Sequence, residues 1–289
     1  NGVADEYRRR GIAIESRHGD CGSRLGEVLG WAQGASLFLF LDPCGAVLPY
    51  DQLAPLLRQR GAWPRTELLM NFSADLIRRA GGQYKKGQLD LGGVASADNV
   101  CGGDWWRDVA LQAHLQTRDG SWETAAQAVA LEYARRLTRG TKFGYVIAPV
   151  RRRQHHQPIY YLIFLTTDVH GLWVFGASAA KAREAWIRAL GPEEDAVDGM
   201  LFDVVEEQIR AEHDRNIRQI SLNLTKLVAD GTDKPVVNHT LDVFDQVYGE
   251  AKETAFSAAL RGLVSSGHIE FVQKGSKPHQ HIIRAGKVS

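Results

Sequence analysis

The sequence predicts an α/β protein in two parts: a Rossmann-like domain over residues 1–195 and a winged helix-turn-helix domain over residues 196–289. Three observations predict it. Near-continuous apolar strands, LFLFL and TELLMNFS, are separated by amphipathic helices, the pattern of a mostly parallel sheet covered on both faces. Two long β-rich runs, KFGYVIAPVRR and PIYYLIFLTTD, flank RQHHQ and read as an antiparallel hairpin added to that sheet. From residue 200 onward the order is helix, short helix, turn, helix and β-hairpin, which is the winged-helix order.

Along the chain, ADEYRRR reads as helical and GIAIES as a short strand leading into RHGDC. SRLGEVLGWAQ places Leu25, Val28, Leu29 and Ala32 at helical spacing. LFLFL, residues 37–41, is expected to be buried on both faces. PYDQLAPLLRQR is a helix with proline near its start, and TELLMNFS is a second buried strand. Residues 81–102 hold six glycines and little periodicity, and read as a mobile loop. DWWRDVALQAHLQ and SWETAAQAVALEYARRLTRG are helices, the second with Ser121 as a candidate N-cap and Glu123 in its first turn. ASAAKAREAWIRAL is a helix, and GPEEDAVDG a linker to the C-terminal part.

Composition bounds the function classes. The chain has 289 residues, 44% of them hydrophobic, and a net charge of +1, so nucleic-acid or membrane binding requires a local patch rather than a global field. No apolar run approaches the roughly 18–20 residues that span a bilayer. Cys21, Cys44 and Cys101 stand far apart without a C-x-x-C pair, which is neither a disulfide framework nor a metal signature and suits a reducing cytoplasm. The opening residues have no signal-peptide shape and no initiator Met, and read as a chain entered midway.

The chemistry concentrates where the apolar strand ends, in LDPCG. In doubly wound sheets, ligands sit beyond the carboxyl ends of the strands. A strand ending in D-P-x-G resembles motif IV of amino-methyltransferases, whose acidic residue and proline receive an exocyclic amine. A carboxylate accepts the amine hydrogens and leaves its lone pair facing a methyl donor, while the proline fixes φ and removes a competing N–H. The alternative is a strand stopped by an ordinary D-P-x-G turn. Asp20 in HGDC is placed to contact the adenine of S-adenosylmethionine or, equally, to cap a helix. Asn71, Phe72 and Ser73 end the next strand at the same crevice.

The order D-C, L-D-P-x-G, E-L-L-M-N-F-S-x-x-x-x-R resembles the three-Cys-motif partner (TcmP) family, bacterial proteins with a class I methyltransferase-like fold. The resemblance rests on residues 40–45, on residues 67–73 with Arg78, on GGDWW, on YYLIFLTTD and on the winged tail. It implies S-adenosylmethionine as cofactor, bound at Asp20 and Cys21. It implies a target pocket of Asp42, Pro43, Cys44 and Gly45, and substrate contacts from Asn71, Phe72, Ser73 and Arg78. It also implies a radical-SAM-like partner protein, to whose cysteines the family name refers. Cys44 stands where the family usually carries phenylalanine. The glycine-rich loop that such enzymes place after their first strand has one weak counterpart here, LDLGGVAS at 89–96.

Methyl transfer to a nucleic-acid base amine is therefore the leading expectation. The alternative is a catalytically degenerate adaptor binding nucleic acid or the partner protein. A phosphodiester enzyme lacks clustered carboxylates, and no metal site is expected. Nucleic acid would meet Lys252, Thr254 and Arg261 on the recognition helix, Lys274 and Lys277 on the wing, and Arg151, Arg152 and Arg153 between the paired strands.

Overall fold

The computed structural model describes residues 6–286 apart from 8, 17, 43–47, 90, 118–120 and 191–200. Pro43, Cys44 and Gly45, and the expected linker, lie outside the described residues. The N-terminal half contains α1 (Cys21–Trp31), β1 (Leu37–Leu41), α2 (Tyr50–Gln59), β2 (Thr66–Ser73) and α3 (Ala74–Lys85). It continues through α4 (Gly92–Cys101), α5 (Trp105–Leu115), α6 (Glu123–Thr138), β3 (Gly144–Val150) and β4 (Tyr160–Thr166).

The four strands make one mixed sheet in the order β1–β2–β4–β3. Only β1 and β2 are parallel, while β2–β4 and β4–β3 are antiparallel. The expected mostly parallel sheet is corrected in this respect. The short turn after β3 returns the chain antiparallel, and β4 then lies on β2, so the hairpin supplies half of the sheet. Pro149 in β3 pairs with nothing on its outer side among the described strands, as befits an edge position.

One face of the sheet packs on helices α2–α6 through Leu68, Met70, Phe72, Tyr161, Ile163 and Leu165, with the alanine-rich side of α6 against them. The other face is covered over β3 and β4 by α7 (Val169–Leu190), where Phe175 stacks on Phe164 at 4.5 Å between ring centroids. β1 receives no such cover: Phe38 and Phe40 are 58% and 54% exposed, whereas Leu41 is buried. The expectation that LFLFL is buried on both faces is thus overturned.

Two further expectations change. Residues 11–16 are not a strand, and residues 81–102 are mostly helix rather than loop. Val94, Ala97, Val100 and Cys101 of α4 are buried at helical spacing. The glycines misled because they serve packing: a Cβ on Gly81 would lie 2.4 Å from the Trp122 ring. Gly102, at φ +67° against Tyr50, ends α4 in the left-handed conformation that favours glycine.

The C-terminal half contains α8 (Leu201–Leu227), β5 (Lys234–Pro235), α9 (Thr240–Phe244), α10 (Glu253–Ser265), β6 (Ile269–Gln273) and β7 (Ile282–Ala285). The strands form a small antiparallel sheet ordered β5–β7–β6. Its core joins Ile220, Leu224, Val236, Val243, Phe244, Phe256, Leu260 and Ile283 to Trp173 of α7. Trp173 meets Phe244 and Phe256 edge-on, each at 5.2 Å. The Tyr248 hydroxyl donates to the Leu172 carbonyl at 2.5 Å, and its ring lies over Gly176.

This joint is testable in two ways. Trp173→Ala empties the centre of the aromatic cluster and should cost about 3–5 kcal/mol, read as a fall in the denaturation midpoint; an unchanged midpoint contradicts the assigned packing. His279 packs against Trp173 and His170, and its Nδ1 is buried without a partner among the described residues. Burial, then His170 and Lys277, hold its pKa below the usual imidazole value, against the pull of Glu253. The unfolded chain therefore binds the proton more readily, so stability should fall as pH drops below about 6.5. His279→Gln should flatten that slope in thermal melts between about pH 7.5 and 5, leaving the contribution of His281, likewise lowered by burial.

Candidate functional site

The parallel register pairs Leu41 with Met70, so the next residues, Asp42 and Asn71, emerge side by side at the carboxyl end of β1 and β2. The Asn71 side-chain amide donates to Asp42 Oδ1. Asp42 is exposed, and the buried Asn71 Oδ1 has no hydrogen-bond partner among the described residues. One amide donor leaves the exposed Asp42 carboxylate with free acceptor positions for an amine-bearing ligand, while the Asn71 oxygen is shielded from solvent. The order of the strands thus brings together two of the residues expected at the crevice.

The neighbouring candidates face elsewhere. Phe72 alternates to the core face, 1% exposed, against Tyr133 at 5.0 Å. Ser73 Oγ accepts from the Leu76 N–H at 3.1 Å and caps α3. Arg78 donates to the Pro158 carbonyl and, at 2.5 Å, to Asp75 Oδ1, tying α3 to the turn between β3 and β4.

Asp20 is the N-cap of α1, its Oδ1 accepting from the Ser23 N–H at 3.0 Å. Cys21 is exposed at the first helical position. The backbone at Gly22 lies so close to Gln52 that a Cβ would sit 1.8 Å from its Oε1. Because residues 11–16 do not form a strand, Asp20 does not end one. The Asp20 carboxylate thus caps a helix, one of the two roles expected of it, and its setting differs from the strand end expected of an adenine-binding acid. Cys101 is buried, which pushes its thiol pKa up and leaves it protonated. The Trp105 and Trp106 indoles donate to the Cys101 carbonyl and to Asp98 Oδ1, both at 2.8 Å, so both rings are held within the helical layer.

The basic candidates divide by partner. Arg151 bonds Glu123 at 2.7 Å and the His156 carbonyl at 2.6 Å. Lys252 reaches Glu184 of α7 at 2.5 Å. Glu184 is partly buried, which raises its pKa, but Lys252 and Arg188 outweigh this and hold the carboxyl below its ordinary value. Arg152, Thr254, Arg261, Lys274 and Lys277 are exposed, and Arg153 is half-buried. Arg261 Nε donates to the Ser257 carbonyl at 3.1 Å, and the Lys274 ammonium lies 5.8 Å from the Phe271 ring. None of Arg152, Arg153, Arg261, Lys274 and Lys277 pairs with a carboxylate among the described residues.

Sequence reasoning missed the ionic seam between α7 and α8, where Arg183 meets Glu212 at 2.6 Å and Arg188 meets Glu206 at 2.7 Å. The only sequence signal was a run of alternating charge along two helices. Among the described residues no group of three His, Cys, Asp or Glu could hold a metal ion, and no helix is long and apolar enough to cross a membrane. No family model matches the chain, and no curated protein or solved structure matches it either.

Proposed function

We propose that this protein is a nucleic-acid-binding adaptor in which a methyltransferase-like α/β scaffold carries a winged helix. One observation carries the reading: the C-terminal half combines the helix–strand–helix–helix–strand–strand order and the β5–β7–β6 sheet with exposed, carboxylate-free Arg261, Lys274 and Lys277 on α10 and the hairpin. In a winged helix the second helix of the turn enters a groove while the wing meets the backbone. Here Thr254 and Arg261 supply the helix contacts, and Lys274 and Lys277 the phosphate contacts. Lys252, drawn to Glu184, instead anchors the start of α10 to α7 and sets its angle. Arg152 and Arg153 extend the basic surface on the scaffold. The resemblance to the three-Cys-motif partner family adds a radical-SAM-like protein as a second client of the adaptor.

A second reading, methyl transfer to a base amine, draws on the Asp42–Asn71 pair at the end of the parallel strands. The exposed Asp42 oxygens, oriented by Asn71, suit the hydrogens of an exocyclic amine. The cofactor side has less to support it, since Asp20 caps its own helix and does not end a strand. The pair is accordingly assigned to holding a base or amine rather than to a transfer step.

Replacing Arg261, Lys274 and Lys277 together by Ala should weaken duplex binding. It should also reduce the slope of log K against log salt by about 0.9 for each phosphate that is no longer neutralised; an unchanged slope removes the winged half from the interface. Titration calorimetry of the 289-residue chain with S-adenosylmethionine should give no binding heat. Stoichiometric heat, with methylation that Asp42→Ala abolishes, would instead establish the enzymatic reading.

A further inference from the structure

We propose that a groove along α8 docks an acidic amphipathic helix from a partner protein. The groove encloses about 710 Å³ between α8 and the junction of α10 with β6. Arg218, Leu222, Lys226 and Ala229 line it from α8 and the turn that follows, and Leu263 and His268 close its side. The spacing of these α8 residues puts them on one helix face, while Ile220, Leu224 and Val228 on the opposite face are buried in the core. Leu222, midway along the helix between Arg218 and Lys226, is 65% exposed. Along α8 the face runs from Arg218 to Lys226, about 12 Å, which matches roughly two turns of a docked helix.

Charge identifies the occupant. Arg218 and Lys226 flank Leu222 by one turn on either side, both exposed and without a carboxylate partner among the described residues. The nearby Arg215, in contrast, approaches Glu250 at 3.9 Å. The titratable groups lining the groove are Arg218, Lys226 and His268; the nearest carboxylates along the chain, Asp214 and Asp230, stand one turn beyond its two ends, and Asp230 pairs with Lys234 at 2.6 Å. A second copy fits poorly, because antiparallel pairing of two α8 helices about Leu222 sets Arg218 of one copy against Lys226 of the other. A nucleic acid would find cations at the rim but hydrocarbon along the floor. A helix with an apolar stripe and flanking Asp or Glu satisfies both, in the helix-in-groove mode. This assignment stands apart from the nucleic-acid reading, which uses α10 and the hairpin.

The test uses the full chain and two synthetic stapled helices that share one leucine stripe, one flanked by Glu and the other by Lys, followed by fluorescence anisotropy. The Glu-flanked helix should bind more tightly by about tenfold or more, and Leu222→Asp should weaken it by about tenfold, the worth of one well-buried leucine. Arg218→Glu combined with Lys226→Glu should invert the preference. Leu222 is exposed, so its variant should keep the wild-type circular dichroism spectrum and duplex affinity. Equal affinity for the two helices, or none, overturns the proposal. So does self-association that Leu222→Asp abolishes, which would assign the groove to a second copy, or displacement of the Glu-flanked helix by duplex DNA.

Discussion

Helix α7 is the constraint on which the two halves depend. Its first turns carry Phe175 onto Phe164 of the sheet and Trp173 into the C-terminal core, so two neighbouring residues serve two different hydrophobic interiors. Further along, Glu184 takes Lys252 and Arg188, and Arg183 takes Glu212. The result orients α10 and the hairpin relative to the sheet through packed aromatics and partly buried ion pairs rather than through a free linker. Partly buried pairs of this kind contribute more to geometry than to stability, because the desolvation of each charge offsets its attraction. Each aromatic pair adds about 0.5–1.5 kcal/mol beyond the apolar area it buries.

The sheet shows how a single edge decides which surface is open. β2 is central and buried at alternate positions, flanked by β1 on one side and β4 on the other. Helices α2–α6 cover one face, while α7 covers the second face over β3 and β4 and reaches β2 only at Glu67, beside Gly171. Phe38 and Phe40 are consequently left on the surface, as is Trp31, at 65% exposure. An apolar strand at the margin of a sheet is usually managed by cover or charge, and β1 carries no charge between Leu37 and Leu41.

The order of secondary structure was largely legible in the sequence. The apolar blocks LFLFL and TELLMNFS, the paired runs around RQHHQ and the glycine stops of the C-terminal helices each announce an element whose period and boundary are local properties. The glycine-rich stretch was not legible, because Gly81 and Gly93 are small for the sake of Trp122 and Gln83, neighbours that sequence spacing does not bring near. The candidate site was legible in part. D-P-x-G marks the end of a strand, and the parallel register then sets Asp42 beside Asn71. The roles of Ser73, Arg78, Asp20 and Lys252 were not legible, since capping and ion pairing depend on which backbone N–H or carboxylate arrives in space.

The amino-acid order by itself determined most of the helices and strands, that the first half alternates them and that the second ends in a hairpin, because hydrophobic period and turn chemistry act within a few residues. Tertiary structure alone decided which strands became neighbours, that the sheet is mixed, that β1 stands at the margin with its aromatics outward, and that a groove opens along α8. Those outcomes follow from burial and charge pairing between distant segments, and no short window of sequence contains both partners.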